Sequence, residues 1–425
     1  MPPRPTPKSD QDWKTVEFDI KKLFTPAAPI GRAELFAGRR AQLQRLFDAI
    51  AEPGRHAVLY GERGVGKTSL ANVFHELISG DSDSPLLPIK KQASPSDDFT
   101  SLWRKIFREI GFENRRKGDY GNDDVERGSI AELYPNEIVP DDVVREIGRF
   151  AVKAHPIIVF DEFDRISDQA TKKVMSHTIK AFSDTPIAAT IVLVGVADDI
   201  NTLVEEHQSV TRNISEIKMP RMSKEELNEI LNGRYKKIGM TIEGDARWKI
   251  VTLSRGLPEF VHALGRASAL NAISERRLII KEADVDAGIK ETLAQSDQSA
   301  NAVYRKAIDS NKKNALYRQV ILACAIAKAD EEGKFTPKDV VEPLSGILGR
   351  RVDIANFQNH LGAFSSDERG GILERHGKER SYKYRFRNPK MQPFVIMQGI
   401  ASGDVGNEAL KILSAPEQPR LSTEF

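Results

Sequence analysis

The 425-residue sequence predicts an α/β fold, a parallel sheet with helices on both faces, followed by a run of helices and a small mixed C-terminal domain. Three observations carry that expectation. The stretch HAVLYGERGVGKTS at 56–69 passes from a short apolar run through a glycine-rich turn into a helical pattern. A second apolar run, PIIVFDE at 156–162, ends in two adjacent carboxylates. Beyond about residue 220 the apolar residues recur at helical spacing until a strand pair near the C-terminus.

The first stretch is the most specific. Gly61, Gly66, Lys67 and Thr68 satisfy G-x-x-x-x-G-K-[ST], the P-loop pattern, with Glu62, Arg63, Gly64, Val65 and Ser69 completing it. Glycines let the main chain wrap around phosphates in conformations that other residues resist. Lys67 is placed to reach the terminal phosphates of ATP, and the Thr68 hydroxyl to bind Mg²⁺. The helix that follows turns its positive N-terminal end to the same anion, and Leu70, Val73, Phe74, Leu77 and Ile78 give it an apolar face. In the second stretch Asp161 is expected to hold the Mg²⁺ coordination sphere through water. Glu162 is expected to orient and polarise the attacking water. Taken alone, adjacent acids at a strand end are also common as solvated caps.

Composition bounds the rest. Forty per cent hydrophobic and 29% charged residues fit a globular chain of two or three domains. With a net charge of +2, any nucleic-acid surface has to be a local patch. Cys324 is the only cysteine, which excludes an intramolecular disulfide and a cysteine-cluster metal site. The opening MPPRPTPKSD has no apolar core of a secretory signal. The longest apolar run, Ile187–Ala197 with one Thr, is too short to span a bilayer. A cytoplasmic protein without membrane association is the expectation.

In chain order, residues 1–34 read as a flexible arm rich in Pro, Lys and Asp, with Phe18–Phe24 able to dock on the body. Leu43, Leu46, Phe47 and Ile50 then form one face of a helix that Pro53-Gly54 breaks. An F-x-G-R segment, this helix and GERGVGKTSL together resemble the AAA+ ATPases, and within them the origin-recognition initiator ATPases and the neighbouring STAND signalling NTPases. The resemblance implies an AAA+ core at 35–220 and an all-helical lid at 221–296; the residues themselves read as a polar linker at 297–313, a winged-helix domain at 314–400 and a disordered tail at 401–425. It also implies that Phe36, Gly38 and Arg39 flank the adenine. A plain helix-start turn is the alternative for that segment.

Pro85–Ile89 fits the second strand, Phe99–Ile110 an amphipathic core helix, and 111–140 a long surface insertion. A helix at Asp141–Phe150 leads into the acid-tipped strand, and a helix at Gln169–Phe182 follows it. After strand Thr190–Val194, AAA+ proteins keep a polar sensor residue. Asp198 stands there, or Asp199 with a one-residue slip, the alternative being a helix cap. The resemblance gives Arg212 the place of an arginine finger that reaches the γ-phosphate held by a neighbouring subunit. In the lid, Gly256-Leu257-Pro258 is similar to the G-x-P motif of STAND NTPases, whose proline packs near the nucleotide. Pro258 is equally a favoured first residue of a helix. Arg255 and Arg266 are both open as the lid arginine.

Near the C-terminus, helices Leu316–Lys328, Pro337–Leu348 and Asp353–Phe364 and a hairpin of Gly371–His376 with Glu379–Arg387 make up a winged helix. Along Ser381–Arg387, Tyr382, Tyr384 and Phe386 alternate with Lys383, Arg385 and Arg387, so one face is apolar and the other basic. These cations are the candidate contacts to double-stranded DNA. The functional expectation is an ATPase that assembles with ATP and engages DNA, as initiators or transposition regulators do. The alternative is a STAND-type switch that senses a trigger and activates a separate effector, as in bacterial antiviral defence.

Overall fold

The computed structural model describes residues 7, 9–79, 85–117, 123–185, 187–204, 212–310, 315–330, 332–378 and 381–406, with the backbone alone for 112–117 and 123–127. The chain divides into two compact units. Residues 29–220 form one. Residues up to 28, together with those from 221 on, form the other. An N-terminal helix, α1 (Asp10–Leu23), belongs to the second unit.

The 29–220 unit holds α2 (Arg40–Ala51), β1 (His56–Gly61), α3 (Lys67–Ser79), β2 (Leu86–Gln92) and α4 (Phe99–Phe107). It continues with β3 (Gly111–Lys117), β4 (Asp123–Ser129), α5 (Pro140–Ala151), β5 (His155–Asp161), α6 (Gln169–Asp184), β6 (Thr190–Val196) and β7 (Ile214–Lys218). Five strands form one parallel sheet in the order β2-β5-β6-β1-β7. Every residue of β1 is buried, as is β5 beyond His155, because a parallel sheet is covered on both faces. On one face Ile158 and Phe160 of β5 join a core with α4, α5 and α6. There the Trp103 ring lies 5.4 Å from Phe160 and stacks on Phe182. The alternate residues Ile157 and Val159 point to the other face, where α3 packs and its Phe74 meets Phe47 of α2 at 5.3 Å. The 111–140 insertion carries structure of its own: β3 and β4 pair antiparallel from Gly111↔Ser129 to Lys117↔Asp123.

The second unit contains helices Lys224–Ile238, Gly244–Ser254, Pro258–Ser274 and Glu282–Ala294, the region expected as a lid. Two parallel two-residue strands, Thr241–Ile242 and Ile279–Ile280, interrupt its helical character. Helices Gln298–Ile308, Tyr317–Ile326, Pro337–Leu348 and Gln358–Phe364 follow, then strands Leu373–His376 and Lys383–Phe386 and a last helix, Met391–Ala401.

Three expectations need correction. Residues 9–24 are not a loose arm: Ser9 and Asp12 form a capping box, and Val16, Ile20 and Phe24 recur every four residues to make a buried face. Phe24 is fully buried, 5.1 Å from the Tyr235 ring, and Thr25 N–H donates to His262 Nδ1 at 3.0 Å. The linker carries a helix capped by Asp297, held through Tyr304, whose ring lies 5.7 Å from Phe394. Residues 401–406 are ordered, with Val405 buried and Asp404 bonded to Arg318 at 2.6 Å; the tail expected beyond them lies outside the described residues. Cys324 is fully buried, and burial pushes its thiol up. Among the described residues, no helix is long and apolar enough to cross a membrane.

Candidate nucleotide site

The site is built where β1, β5 and β6 end. Gly61 closes β1 with φ +151°, and a Cβ there would meet the Met219 carbonyl oxygen at 2.4 Å, so a side chain has no room. Gly64 and Gly66 also have positive φ, 90° and 96°. Lys67 folds back over the loop, donating to the carbonyls of Gly61 and Glu62, both at 2.9 Å. Burial pushes its pKa down to about 8, against the pull of Asp164 and Asp161. Thr68 Oγ1 stands 3.4 Å from Asp161 Oδ1. Ser69 instead accepts a hydrogen bond from Ile30 N–H at 3.1 Å. Arg63 is exposed and Val65 is buried.

The Asp161 carboxylate is buried and held on both oxygens. Oδ1 accepts the Glu162 N–H at 2.9 Å, and Oδ2 pairs with Lys90 Nζ at 2.8 Å. Glu162 is left-handed, φ 55°, which turns its side chain out of the strand. Its carboxyl is partly buried, which raises its pKa. The hydrogen bonds from Arg165, at 2.7 Å, and Gln92 outweigh this and hold it below the usual carboxylate range. Asp164 Oδ1 accepts the Val196 N–H at 2.7 Å, tying the end of β6 to the acid-bearing turn.

Thr68 and Asp161 offer one hydroxyl and one carboxylate. Mg²⁺ is usually held by such a small set of oxygens together with waters and substrate phosphates. Among the described residues no group of three or more His, Cys, Asp or Glu is disposed to cage a metal. The donor set therefore suits Mg²⁺. When bound, the ion would neutralise phosphate charge, while Lys67 and the loop N–H groups orient the phosphates.

The remaining candidates fall in different places. Arg39 is left-handed, φ 61°, and 3% exposed; its Nη2 donates to the carbonyls of Val65, at 3.2 Å, and Pro220, at 2.5 Å. The side chain expected to flank the adenine thus also braces the phosphate loop, with one nitrogen donating to two main-chain carbonyls. Phe36 is half-buried. Asp198 is exposed two residues past β6, while Asp199 caps a short turn by accepting Asn201 N–H at 2.9 Å. Arg212 is exposed in the turn before β7.

In the other unit, Pro258 is the first residue of its helix. Arg255 is left-handed, its carbonyl accepting from Arg221 at 3.2 Å, and Arg266 bonds Gln295 at 3.0 Å. The hairpin keeps its alternation, with Tyr384 and Phe386 buried. The face expected to be open and basic is ion-paired: Lys383 to Asp330 at 2.9 Å, Arg385 to Glu374, and Arg387 to Asp367 at 3.5 Å. Arg385 is part-buried rather than solvent-facing, since its cross-strand neighbour is Glu374 itself.

Sequence reasoning missed Lys90, Gln92, Asp164 and Arg165. Asp164 and Arg165 were within reach, three and four residues after Asp161. Lys90 and Gln92 become visible only once β2 is known to lie beside β5.

A P-loop at the tip of β1, an acid-tipped β5 separated from it by β6, and the order β2-β5-β6-β1-β7 define an AAA+ P-loop ATPase. The chain belongs to the novel STAND NTPase 1 family (nSTAND1), whose profile matches residues 29–342. Similar solved structures include the ORC1 protein of Aeropyrum pernix in complex with DNA, at 17% identity over 85% of this chain and 92% of that one, TM-score 0.46. Cdc6p of Pyrobaculum aerophilum is 17% identical over 92% and 98%, TM-score 0.44. A Walker-type ATPase of Pyrococcus abyssi is 14% identical over 88% and 99%, TM-score 0.49. No protein in a comparison with curated sequences matches the chain.

Proposed function

We propose that this protein is a nucleotide-dependent molecular switch that binds ATP with Mg²⁺, hydrolyses it, and in one nucleotide state activates a separate effector. Thr68 and Asp161 hold the metal, Lys67 the phosphates, and Glu162 the attacking water. Arg212 completes the site of a neighbouring copy. The observation that favours the switch over a DNA-binding machine is the pairing of Lys383, Arg385 and Arg387 with Asp330, Glu374 and Asp367. Each of these cations already has an acidic partner in its own domain that a phosphate would have to displace, and those acids cancel part of the local basic excess. The test is ATP turnover and particle mass of the purified protein with and without duplex DNA. Slow turnover with retained ADP, indifferent to DNA, is expected. DNA-stimulated turnover with assembly would sink the proposal.

The second reading, DNA engagement through a winged helix, is favoured by the order of three helices and a hairpin and by the alternation along Lys383–Phe386. On that reading, Gln at 383, 385 and 387 weakens duplex binding across all sequences. The slope of log affinity against log salt shrinks by about 0.9 for each phosphate that the protein no longer neutralises. An unchanged slope discards it.

A further inference from the structure

We propose that Lys90 competes with the metal ion for Asp161 and so sets the Mg²⁺ concentration at which the nucleotide complex forms. The proposal rests on nucleotide binding at the P-loop and not on the switch or DNA readings.

Lys90 lies on β2 opposite Val159, two residues short of the end of β5. Its ammonium reaches forward to Asp161 Oδ2 at 2.8 Å, in a pair whose side chains are only 18% and 5% exposed. The Thr68 hydroxyl approaches the other oxygen of the same carboxylate. A cation drawn to Thr68 and Asp161 therefore meets a carboxylate that already has a positive partner. Two positive groups a few ångströms apart repel, and the partly buried setting screens that repulsion weakly. Lys90 has somewhere to go: its Nζ also bonds Asn72 Oδ1, on the P-loop helix α3. The ammonium can give up Asp161 and remain held by Asn72, so metal entry becomes an exchange of partners at one carboxylate.

The measurement is the affinity of the full chain for a fluorescent ADP analogue across a Mg²⁺ series, with EDTA as the metal-free point. Lys90→Met is expected to lower the Mg²⁺ midpoint by about tenfold or more, since a unit charge next to the metal position is removed. Lys90→Arg, which keeps the charge, should stay near the parent. Asn72→Leu leaves the Lys90–Asp161 pair intact but removes the alternative anchor, so its midpoint should rise. If Lys90→Met fails to fold because Asp161 is left buried and unpaired, Lys90→Gln supplies a neutral donor and carries the same expectation. A folded Lys90 variant and Asn72→Leu that both keep the parent midpoint would overturn the proposal while leaving the nucleotide site standing. A parent that binds no nucleotide would overturn the site itself, and the proposal with it.

Discussion

The guanidinium of Arg39 donates to the carbonyl of Val65, 3.2 Å away inside the phosphate loop. The same nitrogen reaches Pro220, the last residue of the P-loop unit. One buried cation thus ties the loop's conformation to the end of its own domain. We predict that Arg39→Ala weakens nucleotide binding by roughly tenfold or more, the scale of a missing charge-assisted hydrogen bond. Arg39→Lys should recover only part, because the shorter lysine side chain does not carry its ammonium as far as Nη2 reaches. Parent-like affinity in the alanine variant, read by nucleotide titration, would contradict the bracing role.

Lys67 and Glu162 should separate binding from hydrolysis. Lys67→Ala is expected to abolish ATP binding, and Glu162→Gln to leave binding intact while removing turnover. The Lys67 pKa near 8 adds a pH signature. Phosphate binding needs the charged ammonium, so the free protein must take up a proton on binding once the pH exceeds that value. Affinity should then fall as pH rises above about 8, approaching tenfold per pH unit. A pH-independent affinity between 7 and 9.5 would assign the phosphate contact elsewhere.

Arg212 is predicted to act across a subunit boundary. Arginine fingers supply about 10³ to 10⁵ in rate where they have been measured. Arg212→Ala should bind ATP normally and hydrolyse it poorly. Mixed with Glu162→Gln protein it should regain activity, because one mixed interface then contains an intact pair. Absence of recovery in a co-assembled mixture would argue against a finger in trans.

Phe24 is predicted to be a stability residue of the second unit. Its ring is fully buried against Tyr235, with the Arg234 guanidinium 6.0 Å from its centroid. Phe24→Ala should cost about 3–5 kcal/mol in denaturant unfolding. Phe18→Ala, at a position 66% exposed on the same helix, should cost little. Equal effects would show that α1 is not docked through Phe24.

The nucleotide half was legible because its chemistry is local. The residues from Gly61 to Ser69 are contiguous, and Asp161 and Glu162 announce themselves at the tip of an apolar run. Lys90 and Gln92 were not legible, since their meaning depends on the sheet order that puts β2 beside β5. The alternation along 381–387 was legible, but the acidic partners of its cations were not, since Asp330 and Asp367 come from outside that strand and Glu374 from the strand opposite. The docking of Phe24 was legible but the helix before it was not: Val16, Ile20 and Phe24 are spaced by four behind a capping Ser9, directly after a proline-rich opening that favours no regular element.

The second unit is made from two stretches of chain with the P-loop unit inserted between them. During synthesis α1 leaves the ribosome well before its partners: Arg234, which donates to the Leu23 carbonyl, lies 211 residues beyond it, and His262, which accepts from Thr25 N–H, lies 237 beyond Thr25. At translation speeds of about 5–20 residues per second, the Val16–Ile20–Phe24 face waits on the order of 10–40 s without its partners. The P-loop unit can fold in that interval, but the second unit cannot close until most of its later portion has emerged. Protection of Phe24 therefore marks a late event in the maturation of the nascent chain, and the exposed face before it is the natural place for a chaperone to hold.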